Sequence, residues 1–251
     1  MIPYGRQDVR DSDVEAVVEI LKSDFLTQGP TVPRFEELAA RRVGARYATA
    51  VNSATSALHI ACLALELGPD DVLWTVPNTF VASANCARYC GASVDFVDID
   101  PRTGNMDVEA LRSKLIAADR IGRVPKVVVP VHFAGQPPEQ ELIWELAQHY
   151  GFRVLEDASH AIGASRQGEA VGNCRWSDIT VFSFHPVKII TTGEGGMALT
   201  NDPVLAEQMA MLRLHGIVRD PGLLECLAAG EPTPSPWYYE QQVLGYNYRM
   251  T

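Results

Sequence analysis

From Tyr47 to Leu214 the sequence switches repeatedly between short apolar runs and stretches with helical spacing. Strand-like runs fall at 47–51, 72–75, 94–97, 127–131, 154–156, 180–184 and 197–200. Helix-like stretches fall at 56–67, 82–90, 108–117, 139–150 and 203–214. Alternation of this kind predicts an α/β fold with three layers, α/β/α, around a mainly parallel sheet. On such sheets ligands sit outside the carboxyl ends of the strands.

Two helices are expected ahead of this core. Ser12 and Glu15 have capping-box spacing before the apolar positions Val14, Val17, Val18 and Leu21. The second helix is expected to start near Pro33, a favourable first-turn residue, and to reach about Arg42. After Gly216 the texture changes to turn-rich sequence, with Pro221-Gly222 and three prolines within 230–236. Trp237-Tyr238-Tyr239 and the segment 245–251 follow. No internal repeat stands out.

Charge and composition exclude several functions. Lys and Arg number 21 against 31 Asp and Glu, for a net charge of −10 without a basic cluster. A nucleic-acid backbone is therefore not an expected partner. The first eight residues lack the apolar core of a signal peptide, and no apolar run is long enough for a membrane span. Cys62, Cys86, Cys90, Cys174 and Cys226 are odd in number and scattered, which fits free thiols in a reducing cytoplasm. The histidines show no metal-ligand spacing.

Chemistry concentrates where predicted strands end. Ser183-Phe184-His185-Pro186-Val187-Lys188 puts a lysine in a turn after an apolar run, just before the glycine-rich stretch 193–196. Gly193, Gly195 and Gly196 read as turn residues. Val154-Leu155-Glu156-Asp157 is an apolar strand ending in a carboxylate. A lysine that forms a Schiff base and an Asp that pairs with a pyridinium nitrogen are a protein's minimum share of pyridoxal phosphate chemistry. Taken alone, Lys188 would read as a surface lysine and Asp157 as a helix cap. His160 follows closely enough to support Asp157 or approach the ring. Asn52-Ser53-Ala54-Thr55 joins a strand to a helix, where free N–H groups and the helix dipole can hold a phosphate. An ordinary N-cap is the alternative there. Phe80 could stack on a flat heteroaromatic ring or be a core residue, and the Ser183 hydroxyl could reach a phosphate.

Together, segments 52–58, 156–161, 183–196 and 245–251 resemble the DegT/DnrJ-type sugar aminotransferases, and the resemblance covers the whole chain. It implies pyridoxal phosphate as cofactor and the large domain of the aspartate aminotransferase fold, fold type I. By position, Lys188 becomes the Schiff-base lysine and Asp157 the pyridinium partner, with Phe80 on the ring and His160 beside it. Ala54, Thr55 and Ser183 would face the cofactor phosphate or the bound sugar. Tyr4, Asp24, Phe25, Leu26 and Thr27 match a substrate-contacting N-terminal stretch. Asn247 matches a residue that reaches the neighbouring subunit's cofactor and substrate, which implies a homodimer with shared sites.

Segments 182–196 and 236–251 are most similar to members that aminate a UDP-linked 4-keto-6-deoxy-N-acetylhexosamine in pseudaminic acid biosynthesis. The resemblance therefore implies a UDP-4-keto-sugar as acceptor and L-glutamate as donor, although related enzymes use other nucleotide 4-keto sugars. It divides the chain into a cofactor-binding large domain, 1–215, and a segment, 216–251, that begins a dimer or C-terminal region. Family members continue with a smaller C-terminal domain, so a truncated form is expected, and with it the rival reading of a fragment without activity. Relatives that dehydrate sugars carry His in place of the lysine, and Lys188 argues against that class. A generic nucleotide-binding protein lacks support, because neither G-x-G-x-x-G nor a Walker-type loop occurs.

Overall fold

Seven strands form the central sheet of the structure, a computed structural model that describes residues 5–251 apart from 229, 231 and 233. Tyr4 lies outside the described residues. In chain order, α1 (Asp11–Leu21) and α2 (Thr31–Val43) lead into β1 (Tyr47–Val51), α3 (Ala54–Ala64), β2 (Val72–Thr75), α4 (Ala82–Tyr89) and β3 (Ser93–Phe96). Next come α5 (Val108–Asp119), β4 (Val127–Val128), α6 (Gln140–Tyr150) and β5 (Arg153–Asp157). A hairpin of β6 (Ser165–Arg166) and β7 (Glu169–Ala170) precedes β8 (Ile179–Ser183), β9 (Gly196–Thr200) and α7 (Pro203–Arg213). The last elements are β10 (Ile217–Val218), α8 (Glu225–Ala228) and β11 (Glu240–Gln241).

The sheet order is β1-β9-β8-β5-β4-β2-β3. Neighbours from β3 through β8 pair in parallel, while β9 runs antiparallel to both β8 and β1. The expected mainly parallel α/β architecture is therefore present. Side chains alternate across a strand, so consecutive apolar residues serve opposite faces. Leu73, Val127, Leu155 and Val181 pack with α3, α4 and α7. Their neighbours Trp74, Val128 and Val154 pack with α5 and α6, and Phe182 joins the cluster that includes Val43 of α2. Two-sided burial explains why these strands read as continuous apolar runs. Truncating a fully buried residue such as Leu155 to Ala would cost about 2–5 kcal/mol.

Local signals set most boundaries. Ser53 caps α3 by accepting the Ser56 N–H, Asp107 caps α5, and Asp202 caps α7 with Pro203 in its first turn. Gly44 and Gly151 end α2 and α6 in the left-handed conformation. Three details differ from the sequence reading. In α1 the Asp13 carboxylate, not the Ser12/Glu15 pair, accepts the N–H of the capping residue Arg10. Helix α3 stops at Ala64 rather than near Gly68, because Glu66 turns to φ 58°. Leu65 and Leu67 remain buried after the helix has ended, so the apolar pattern outlasts it. The β6–β7 hairpin turns through Gln167 and Gly168, both at positive φ, a two-residue reversal that the expected elements did not include.

The segment after Gly216 is more ordered than its turn-rich composition predicts. β10 and β11 pair antiparallel, and Leu214 and Val51 bridge to Asn247 and Arg249. The Asn52 N–H donates to the Tyr248 carbonyl at 2.8 Å, which returns this segment to the end of β1.

Candidate active site

The strands β1, β5 and β8 end at one edge of the sheet, and a cavity of about 620 Å³ opens there. Its walls include Ala54, Thr55, Phe80, Asp157, His160, Ser183 and Lys188. The sheet thus brings together residues from four separate stretches of sequence.

Asp157 closes β5 and is buried. Its Oδ2 accepts the Ser83 hydroxyl at 2.6 Å, and its Oδ1 accepts the Ser159 hydroxyl at 2.6 Å and the Ser159 N–H at 3.2 Å. Lys188 lies on the excursion between β8 and β9, and its Nζ is 2.5 Å from His160 Nε2. Burial pushes the Lys188 amine below the usual lysine value, and the Asp157 charge opposes this in part. Partial burial likewise lowers His160, the Lys188 charge lowers it further, and Asp157 works against both. Two nitrogens held toward their neutral forms can share one proton at this distance, whereas two cations would repel.

The N-terminus of α3 forms another part of the cavity wall. The first-turn N–H groups of Ala54 and Thr55 fall outside the helix's own ladder, an arrangement suited to an anion. A Cβ on Gly196 would fall 2.4 Å from Ala54 N and 2.5 Å from Ser53 C. Only glycine lets β9 run this close to the turn. Gly196 also pairs with Ser183 on one side and Val51 on the other. The turn reading is therefore corrected for Gly196, which serves close approach inside a strand, while Gly193 does turn at φ 80°. Ser183 is buried at the same place, where its Oγ accepts the His185 N–H at 3.4 Å.

Residues 7–251 match the DegT/DnrJ/EryC1/StrS aminotransferase family. This chain belongs to that family. It is 38% identical over 252 residues to the UDP-4-amino-4,6-dideoxy-N-acetyl-beta-L-altrosamine transaminase of Campylobacter jejuni, an alignment covering 100% of this chain and 61% of that protein. The structure superposes with TM-score 0.84 on the Helicobacter pylori aminotransferase PseC, described as involved in the biosynthesis of pseudoaminic acid. Identity there is 32%, with 99% of this chain and 61% of that one covered. A putative sugar aminotransferase of Streptococcus pneumoniae in its pyridoxal phosphate form gives TM-score 0.82 at 26% identity, over 100% of this chain and 63% of the other. The chain thus spans roughly three fifths of these relatives' length.

Members of the family depend on pyridoxal phosphate, and the donor set here fits that group. The cavity offers an anion cradle, a buried carboxylate, and an amine held toward its nucleophilic form. Phe80 lines the same cavity with three quarters of its surface exposed, so it is not the core residue that a lone aromatic suggests.

Asp24, Phe25, Leu26 and Thr27 do not line this cavity. They are exposed in the connection between α1 and α2. Asn247 is exposed as well and lies outside its own chain's cavity, where its carbonyl accepts the Asn52 side-chain amide at 3.4 Å.

Sequence reasoning did not single out Ser83 or His132. Ser83 follows Thr79 by four residues, a spacing that puts both on one side of a helical turn. His132 lies behind Asp157, and its N–H donates to the Asp157 carbonyl at 3.0 Å. Its Nε2 stands 3.3 Å from Glu156 Oε1, an ion-pair distance without hydrogen-bond alignment. Glu156 also accepts from Gln140, Ser177 and Thr180. Burial pushes the Glu156 carboxyl up, but the His132 charge and these hydrogen bonds outweigh it, so the group sits below its usual value.

Proposed function

We propose that this protein is a cytoplasmic transaminase. It moves the amino group of L-glutamate to C4 of a UDP-linked 4-keto-6-deoxy-N-acetylhexosamine, forming UDP-4-amino-4,6-dideoxy-N-acetyl-beta-L-altrosamine. The observation that carries the reading is the meeting of Lys188, His160 and Asp157 in a cavity also lined by the α3 N-terminus. The sugar assignment draws on the name of the C. jejuni relative.

Pyridoxal phosphate supplies an electron sink that makes a hydrogen next to an amino group labile. Lys188 would hold it covalently and, at Nζ, would be the group placed to carry a proton. Asp157 holds a negative charge toward the ring nitrogen. His160 takes part in the Lys188 hydrogen bond and fixes where that amine points. Ala54, Thr55 and Ser183 hold the phosphate, and Phe80 covers the ring. Asn247 is exposed and outside its own chain's cavity, which fits a homodimer in which it completes the neighbouring site. Tyr4, outside the described residues, and residues 24–27 would contact the sugar.

The test is glutamate-dependent formation of the 4-amino sugar, with 2-oxoglutarate released in equal amount. Conversion of a different nucleotide 4-keto sugar in preference would overturn the sugar assignment. Absence of amino transfer to every 4-keto sugar supplied would overturn the transaminase reading.

A further inference from the structure

Asp157 is held by two serines, and one of them connects it to a different part of the cavity wall. Ser83 is fully buried in the first turn of α4, and its hydroxyl has two acceptors within reach. One is the Phe80 carbonyl at 3.3 Å, and the other is Asp157 Oδ2 at 2.6 Å. The carboxylate oxygen, at the shorter distance, accepts the Ser83 hydrogen bond. The Ser83 oxygen is then free to accept, and Thr79 Oγ1 lies 2.8 Å away to donate. The carboxylate therefore sets the direction of a chain running from Thr79 to Ser83 to Asp157. Thr79 is next to Phe80, so the chain ties the cavity wall after β2 to the end of β5.

We propose that Ser83 is a positioning residue, which fixes the plane of the Asp157 carboxylate against the cofactor's ring nitrogen and sets that carboxylate relative to Phe80. The inference rests on the assignment of Asp157 as the ring-nitrogen partner. Ser159 cannot replace Ser83, because it binds the other oxygen, Oδ1, from the carboxylate's own turn. With only Ser159 in place, one end of the carboxylate is pinned and its plane can rotate.

The test compares dissociation constants for pyridoxal phosphate and for its analogue with carbon in place of the ring nitrogen. Wild-type protein is expected to bind the natural cofactor more tightly than the analogue. Ser83→Ala should weaken pyridoxal phosphate binding about tenfold, the size of one charge-assisted hydrogen bond. Binding of the analogue should change less than about twofold, since it has no ring nitrogen to hold. Ser83→Thr, which keeps the hydroxyl, should restore the natural preference. Thr79→Ala should show the same pattern at smaller amplitude, and it decides the matter if Ser83→Ala does not fold. Equal losses for both ligands would mean that Ser83 only supports packing, and would overturn the proposal. So would an unchanged affinity for pyridoxal phosphate. A wild-type protein that fails to distinguish the two ligands would overturn the Asp157 assignment itself, and this inference with it.

Discussion

Lys188 Nζ and His160 Nε2 lie 2.5 Å apart, although one residue follows β8 and the other follows β5. These two strands are adjacent and parallel, so their carboxyl ends deliver both side chains to one place. Replacing Lys188 with Ala should lower amino transfer by at least about a thousandfold, since the group proposed as covalent anchor and proton carrier is lost. Steady-state turnover with glutamate measures this, and near-normal turnover would remove Lys188 from the chemistry.

The amine's surroundings give that reaction a pH dependence. Burial lowers Lys188 from the ordinary lysine value of 10.5, so its free-base form appears at lower pH than in an exposed lysine. Capture of an aromatic aldehyde, fixed by borohydride, should therefore rise with pH through a midpoint below 10.5. Mass mapping of the Lys188 peptide across pH reads that midpoint. A midpoint at or above 10.5 would contradict the burial argument.

Gly196 predicts a local steric failure. An added methyl would meet the backbone of Ser53 and Ala54 at 2.4–2.6 Å, and backbone has little freedom to move away. Gly196→Ala should destabilise the protein by about 1–3 kcal/mol and weaken cofactor binding together. Urea unfolding and a cofactor titration on the same sample test the pair of effects. Unchanged values in both would show that β9 and the α3 turn are not in enforced contact.

Phe80 predicts the reverse combination. Its side chain is largely exposed, so Phe80→Ala should change stability by less than about 0.5 kcal/mol. Cofactor affinity should nevertheless fall about three- to tenfold if the ring stacks. Unchanged affinity would assign Phe80 no part in binding.

Glu156 is an acid-sensitive element of the core. Its carboxyl is lowered from the ordinary 4.5 in the folded state, so the stabilisation is present above that value and is lost as pH falls through the folded one. Glu156→Gln replaces a buried carboxylate that accepts from Gln140, Ser177 and Thr180, and should cost about 1.5–3 kcal/mol near neutral pH. The gap between wild type and variant should narrow as pH falls below 4.5. Denaturant unfolding across that range decides it, and a gap independent of pH would refute the ionic account.

The parts of this molecule that could be read from its sequence share a physical cause. Strands buried on both faces give unbroken apolar runs, and helices between them carry caps such as Ser53, Asp107 and Asp202, so element order was visible. Lys188, Asp157 and Ser183 were visible because chemistry-bearing residues stand directly after such runs. The contact between Ser83 and Asp157 was not, because it joins residues 74 positions apart through sheet order rather than spacing. The antiparallel course of β9 was also hidden, since a buried strand reads the same in either direction. In α1, Val14, Val17, Val18 and Leu21 have the helical spacing read from the sequence, yet they are exposed rather than packed against the sheet.

The reversed strand gives the lysine-bearing segment a particular mechanical status. Ser183 and Gly196 stand opposite one another in the ladder, so the segment leaves and re-enters the sheet across a single strand spacing, about 4.8 Å. Its ends are clamped by the sheet whatever lies between them. Doubling the length of such a loop costs only about 0.6 kcal/mol in closure entropy. The segment's mostly exposed part after Lys188, residues 189–194, is in effect an interchangeable cassette, free to lengthen without shifting the strands so long as the turn still presents Lys188 to His160.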